Sequence, residues 1–241
     1  MKKIDEILTE DIRSIAIVGH MRPDGDCVGS CMGLYNYLKD NYSFDVDIYL
    51  DDFASSLLFM RYSEQINANT DKTKAYDLFI AVDCSDRQRL GTGSEFFETA
   101  GRTVCIDHHI SKQGYCEINH LNADACAAGE VLYELLEEDK ISKATAECLY
   151  TAIVHDSGVF QYSSVTPRTM EIAGKLMGKG IDFSNIVAKT FYEKSYNRNQ
   201  VLGRALLESV RLMEGKCIFS VISAANMEFY RVKPKDLDGI V

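Results

Sequence analysis

Positive charge is in short supply in this sequence. Against 26 Lys and Arg stand 36 Asp and Glu, a formal charge of −10. That balance weighs against wrapping a long nucleic-acid duplex, because such binding rests on basic side chains neutralising phosphates. It leaves room for a small anionic substrate, since bound divalent ions can reverse the sign inside one pocket. No run approaches the roughly 18 apolar residues of a membrane span. The opening MKKIDEILTEDIRS carries acids where the apolar core of a secretory leader would sit. A cytoplasmic chain away from membranes is the expectation. The eight cysteines include no CxxC pair, which suits reduced thiols better than a disulfide scaffold. Cys27 and Cys31, one helical turn apart, read as small core residues, with a zinc pair as the alternative. No low-complexity tract interrupts the 241 residues, of which 46% are apolar, enough for one large domain or two smaller ones.

What is present alternates. Residues 14–19 (SIAIVG), 77–82 (DLFIAV) and 103–106 (TVCI) are short continuous apolar runs of the kind that form buried strands, and 45–50 (DVDIYL) alternates. Between and after them, helical spacing marks 26–38, 127–138, 142–154, 167–178 and 185–194. Pro167 suits a first helical turn, and Gly178 and Gly180 suit helix ends. Strands alternating with helices predict an α/β domain with a mostly parallel sheet. From about residue 196 the character shifts: one helix is expected over 198–213 and a strand over 217–222. About 40 residues are too few for an independent core, so 196–241 reads as a partial or truncated second α/β domain.

Ligands of parallel sheets bind beyond the carboxyl ends of the strands, and there this chain places His and Asp. The runs end in His20, Asp24 and Asp26 (GHMRPDGDCVGS), in Asp83 (VDCSD), and in Asp107, His108 and His109 (CIDHHI); Asp156 follows a predicted helix in VHDSGVF. Carboxylates and imidazoles together suit Mn²⁺, Mg²⁺ or a related ion rather than structural zinc. Four aspartates plus histidines match two ions sharing a bridging carboxylate. Ser30 and the helix start would face a phosphate, and Arg22 and Arg168 could offer planar donors to it. Each piece has a plainer reading as a turn, cap or surface residue; three of the five histidines falling in these segments decides for a site. His120 and His155 read as structural or solvated.

HxRPDGDxxGS, VDxSD, DHH and HDSGVFQY, in this order, resemble the four motifs of the DHH phosphoesterase superfamily. Within it the chain resembles the NrnA-like group of bacterial oligoribonucleases and 3′-phosphoadenosine 5′-phosphate phosphatases. The resemblance covers roughly residues 10–195 as the DHH domain and 200–241 as the start of a DHHA1 domain; the domain bounds it implies are 1–195, and 196–241 as a linker helix and the first part of DHHA1. It implies two Mn²⁺ ions, with Mg²⁺ or Co²⁺ as substitutes. One would be held by His20, Asp24 and Asp83, the other by Asp26, Asp83, His108 and Asp156. Asp83 would bridge, a water between the ions would attack phosphorus, and His109 would face the substrate phosphate. Asp107 would orient a ligating histidine. The partners implied are short RNAs or small nucleotides and a second copy of the chain in a homodimer.

Two features depart from the family pattern. ACAAGEVL supplies alanines where a Ser/Thr-rich turn is common before Glu130, and the glycine-rich GGGH segment of DHHA1 is absent. The expectation is that metal binding outlasts substrate grip. Alternatives are a cyclic di-AMP or pApA phosphodiesterase, a family II inorganic pyrophosphatase, and a nucleotide-binding remnant without catalysis.

Overall fold

The β-branched run Ile15 to Val18 is fully buried, as is Leu78 to Val82, because these strands lie inside a sheet covered on both faces. The computed structural model describes residues 3–109 and 114–237, in two units, Met1–Phe191 and Tyr192–Val241. The first holds five parallel strands: β1 (Ser14–Val18), β2 (Asp45–Tyr49), β3 (Leu78–Val82), β4 (Arg102–Asp107) and β5 (Ile118–Leu121). Their order is β2-β1-β3-β4-β5. The chain leaves β1 toward β2 on one side and returns to β3 on the other, so the switch point lies between β1 and β3. β5, at four residues with only His120 buried, was too short and polar to be read from the sequence.

Register brings the strand ends level. Val18 pairs with Tyr49 and Ala81, Val82 with Ile106, and the Asp83 amide continues the ladder to the Ile106 carbonyl at 2.9 Å. His20, Asp83 and Asp107 therefore emerge along one edge.

Helix α1 (Gly25–Asn41) is the central helix, with every residue from Gly25 to Leu38 buried. It packs along α3 (Lys143–Asp156) at a separation only glycine allows. A Cβ on Gly29 would sit 2.7 Å from the Cys148 carbonyl oxygen and 2.8 Å from the Ala152 amide. Helix α2 (Ala128–Leu135) has Ala127 as its N-cap, with no side chain to cap it. Helix α4 (Pro167–Met177) opens on Thr166 with Pro167 in its first turn and ends at Gly178, as the sequence predicts. A short α5 (Phe183–Val187) runs into a wider turn at Ala188–Tyr192 within the expected 185–194 helix.

In the second unit the structure departs from the expected 198–213 helix. Helix α6 (Tyr196–Leu207) stops early, and β6 (Val210–Leu212) pairs antiparallel with β7 (Cys217–Phe219). Met213, Glu214 and Gly215 all take positive φ (50°, 58° and 86°), and that reversal folds the strand back where helical periodicity would have carried on. Helix α7 (Ala224–Tyr230) follows. The unit's buried core is Val201, Ala205 and Val232. Among the described residues no helix is long and apolar enough to cross a membrane.

The glycines of α1 and α4 make a test of opposite signs. Gly29→Ala puts a methyl against backbone that cannot yield, so urea denaturation should show a loss of about 1–3 kcal/mol. Gly174→Ala, in α4 with nothing within 4 Å of its Cβ position, should gain about 0.4–1 kcal/mol. A neutral Gly29→Ala would mean that α1 and α3 are not held by this contact.

Candidate metal centre

The centre is built at the sheet edge where β1 and β3 end. Asp24 is the N-cap of α1: its Oδ1 accepts from the amides of Asp26 and Cys27 at 3.1 and 3.0 Å. That cap turns Asp26 inward. Its Oδ2 accepts from the Ala128 amide at 2.6 Å, and its Oδ1 from the Gly129 amide at 3.0 Å and the Ser30 hydroxyl at 2.9 Å. A carboxylate from α1 thus caps α2, whose own N-cap alanine has no side-chain oxygen to do so.

Each histidine is held by one ring nitrogen and offers the other. His20 Nδ1 lies 2.9 Å from the Met21 carbonyl, leaving Nε2 at 3.5 Å from Asp83 Oδ2 and 3.9 Å from Asp24 Oδ1. His108 Nδ1 faces the Ala125 carbonyl at 3.4 Å. Its Nε2 stands 3.3 Å from Asp156 Oδ2 and 3.6 Å from both Asp26 Oδ2 and Asp83 Oδ1. Asp83 accordingly shows one oxygen to His20 and the other to His108. The Asp83 backbone is left-handed, φ 54°, a strained state for a non-glycine residue that aims its side chain along the edge.

The donor set fits divalent ions. Asp83 Oδ1 is buried and has no hydrogen-bond partner, a costly state for a carboxylate unless a cation meets it. Donors bound to one ion at about 2.1 Å lie roughly 3–3.5 Å apart, close to the separations around His108. Three groups of donor atoms lie within 4.8 Å of one another: His20, Cys27 and Asp83; Asp26, His108 and Asp156; and Asp83, Asp107, His108 and His109.

Electrostatics point the same way. Burial, then the neighbouring acids, push Asp26 and Asp83 well above the usual carboxylate range. Asp156 is raised too, chiefly by burial. Burial disfavours charge on His20, yet its contacts with Cys27, the Met21 carbonyl and Asp24 raise it to about 9. The hydrogen bond that His109 donates to Asp107 raises its pKa, and burial lowers that of His155.

His20, Asp24, Asp26, Asp83, His108 and Asp156, expected as ligands, thus come together. Asp107 is fully interior, and its Oδ1 sits 2.7 Å from His109 Nδ1 and accepts the amides of both histidines. The ring it orients is that of His109, which is left with Nε2 outward. Ser30, expected to face a phosphate, is buried behind Asp26 and orients that carboxylate instead. Arg168, expected to offer planar donors to a phosphate, is engaged by Glu134 and Glu171 at 3.0 and 2.9 Å. Arg22 is exposed, with φ 54° and its amide on Asp51. His155 packs over Gly25, where a Cβ would lie 2.1 Å from its ring. Cys27 is buried as expected, but its thiol also reaches the His20–Asp83 group, which nothing in the local pattern marks beyond its place one residue after Asp26.

Residues 14–153 match the DHH family, N-terminal domain. The chain is 25% identical to the bifunctional oligoribonuclease and PAP phosphatase NrnA of Bacillus subtilis, across 97% of this chain and 76% of that protein. With the probable bifunctional oligoribonuclease and PAP phosphatase NrnA of Streptococcus mutans it shares 28% identity over 71% of this chain, spanning about half (54%) of that relative. The fold is similar to the crystal structure of an exopolyphosphatase-related protein from Bacteroides fragilis: TM-score 0.89 and 25% identity, covering 99% of this chain and 74% of the other. A match over more than half of the chain, enclosing β1 to β5 and most of the clustered His and Asp residues, shows that the chain belongs to the DHH family of phosphoesterases.

Proposed function

We propose that this chain is a Mn²⁺-dependent phosphoesterase that cleaves very short RNAs and removes phosphate from 3′-phosphoadenosine 5′-phosphate. The observation that carries the reading is Asp83, a buried carboxylate with one oxygen toward His20 and the other, unpartnered, toward His108. His20, Asp24 and Asp83 would hold one ion, and Asp26, Asp83, His108 and Asp156 the other. When bound, such a pair supplies a Lewis acid for phosphoryl oxygens and lowers the pKa of water toward neutrality. Oxygen and imidazole donors suit Mn²⁺.

The rest is the work of the chain's own residues. Asp26, fixed by three donors, and Asp83, fixed by its strained backbone, keep the carboxylates in place before substrate arrives. Asp107 holds His109 Nδ1, so His109 presents an Nε2–H and stays protonated to higher pH than a free imidazole. A proton at that atom is available to the leaving oxygen. The charge of −10 favours small substrates over long duplexes, and the names of the Bacillus subtilis and Streptococcus mutans relatives point to the same substrate class.

The test is turnover of a panel with Mn²⁺: dinucleotides to pentanucleotides of RNA, pAp, pApA, cyclic di-AMP and pyrophosphate. Short RNAs and pAp should be hydrolysed; cleavage of pyrophosphate alone, or of nothing with metal bound, would sink the reading. Asp83→Asn should remove the shared charge while keeping a residue that tolerates left-handed backbone. Activity should be lost, yet the metal-free variant should be about 1–3 kcal/mol more stable than the metal-free parent, because a buried unpaired carboxylate has gone. Thermal melts without and with Mn²⁺ decide, and an undiminished Mn²⁺ stabilisation in the variant contradicts the shared-ligand role. Because protons compete for Asp26, Asp83 and Asp156, whose pKa values are raised, Mn²⁺ should raise the melting midpoint more at about pH 8 than at about pH 6.

His109→Ala should lower kcat about 10²–10⁴-fold with Mn²⁺ binding retained. Asp107 raises the His109 pKa, so the acid form survives to higher pH and activity falls as pH climbs through that value. Asp107→Asn should therefore move the alkaline limb of the kcat profile to lower pH. A limb that stays put would show that His109 is not the acid.

A further inference from the structure

The segment after β3 carries two arginines with different fates. Arg87 is paired with Glu98 and lies over the Phe97 ring at 4.6 Å. Arg89 is exposed and forms no ion pair among the described residues. Its position is nonetheless fixed. The Asp86 side chain caps this turn through the Gln88 amide at 3.0 Å, and the Arg89 amide donates to the Asp86 carbonyl at 2.9 Å. The Met21 amide donates to the Arg89 carbonyl at 2.7 Å, Leu90 bridges to His20, and the Gly91 amide reaches the Gly19 carbonyl at 3.0 Å. Arg89 is thus stitched to the residues on either side of His20, whose Nε2 is 3.5 Å from Asp83. Arg22, exposed and one residue beyond Met21, shares that rim.

We propose that Arg89 is a phosphate-binding residue of this centre, its guanidinium meeting the non-bridging oxygens of the substrate phosphate at the rim beside His20. The inference rests on the phosphoesterase reading above. The place of Arg89 is fixed by geometry: its carbonyl accepts the Met21 amide, and the next residue, Leu90, bridges to His20, so it sits at the rim of the centre. An exposed guanidinium at that rim, with no ion pair among the described residues, keeps its donors for a ligand. A planar guanidinium can give two parallel N–H bonds to a phosphate, which an ammonium cannot. Arg168, the other arginine the sequence offered for this role besides Arg22, already has its donors on Glu134 and Glu171.

The experiment is titration of the Mn²⁺-loaded full chain with inorganic phosphate by calorimetry, for the parent, Arg89→Ala, Arg89→Lys and Arg87→Ala, with Mn²⁺ affinity followed separately by electron paramagnetic resonance. Arg89→Ala should weaken phosphate binding about 10- to 100-fold, Arg89→Lys should recover part of the loss, and Arg87→Ala should match the parent. Mn²⁺ affinity should be unchanged in all four. Equal phosphate affinity in the parent and Arg89→Ala overturns this inference alone. Loss of Mn²⁺ affinity in Arg89→Ala also overturns it, because the residue would then serve as a counter-charge to Asp83. A parent that binds Mn²⁺ but no phosphate overturns both this inference and the function proposed for the centre.

Discussion

A carboxylate buried beside other carboxylates raises the energy of the fold unless donors or cations meet it, and this chain brings four wholly or partly buried ones, Asp26, Asp83, Asp107 and Asp156, to one sheet edge. Asp26 and Asp107 are met by protein: amides and a hydroxyl for the first, two amides and an imidazole for the second. Asp83 has a histidine within 3.5–3.6 Å of each oxygen, and its buried Oδ1 has no hydrogen-bond partner among the described residues. Asp156 has His108 at 3.3 Å. The protein compensates the acids that fix geometry and leaves Asp83 Oδ1 without a hydrogen bond among the described residues.

The same constraint explains where the backbone is irregular. Positive φ at Arg22, Asp83, Val159 and Phe160 falls in the segments that follow β1, β3 and α3, all of which deliver residues to the centre. Left-handed backbone costs a β-branched residue such as Val159 on the order of 1–2 kcal/mol. Around it the turn is over-determined: the Ser157 carbonyl accepts the amides of Gln161 and Tyr162, and the Ser157 hydroxyl accepts that of Phe160. The strain ends α3 abruptly after Asp156 and so keeps that carboxylate at the helix terminus.

Much of this was legible beforehand, for a physical reason. Strand interiors buried on both faces must be apolar, so His and Asp placed where such runs stop stand out against them, and a parallel sheet brings the stops together. The partners of those residues were less legible, because a hydrogen bond between distant segments leaves no mark in local pattern. Nothing in the sequence of Ser30 says that it faces Asp26 and not a ligand. Nor does a DHH triplet show which of its histidines the aspartate holds. ACAAGEVL, read as a missing hydroxyl contact, is the other half of an interaction: with no capping side chain at Ala127, the helix takes its cap from Asp26. The second unit was the poorest reading. With three buried core side chains and most of its apolar residues exposed, periodicity there reports little about burial, and the hairpin at Met213 to Gly215 went unseen.

Stability and chemistry meet in the glycines of α1. Asp26 lies on α1 and Asp156 at the end of α3, and His108 stands between their carboxylates at 3.6 and 3.3 Å. The spacing of those oxygens is set by how closely the two helices approach, which Gly25 and Gly29 decide through His155, Cys148 and Ala152. His155 is thereby given a reason to be half-buried, with its pKa lowered by burial and its Nε2 unpartnered among the described residues: its ring fills the space above Gly25. A larger residue at either glycine would move one carboxylate away from the other before it reached any ligand. The packing of this helix pair is therefore part of the centre's geometry, although neither glycine supplies a donor atom to it.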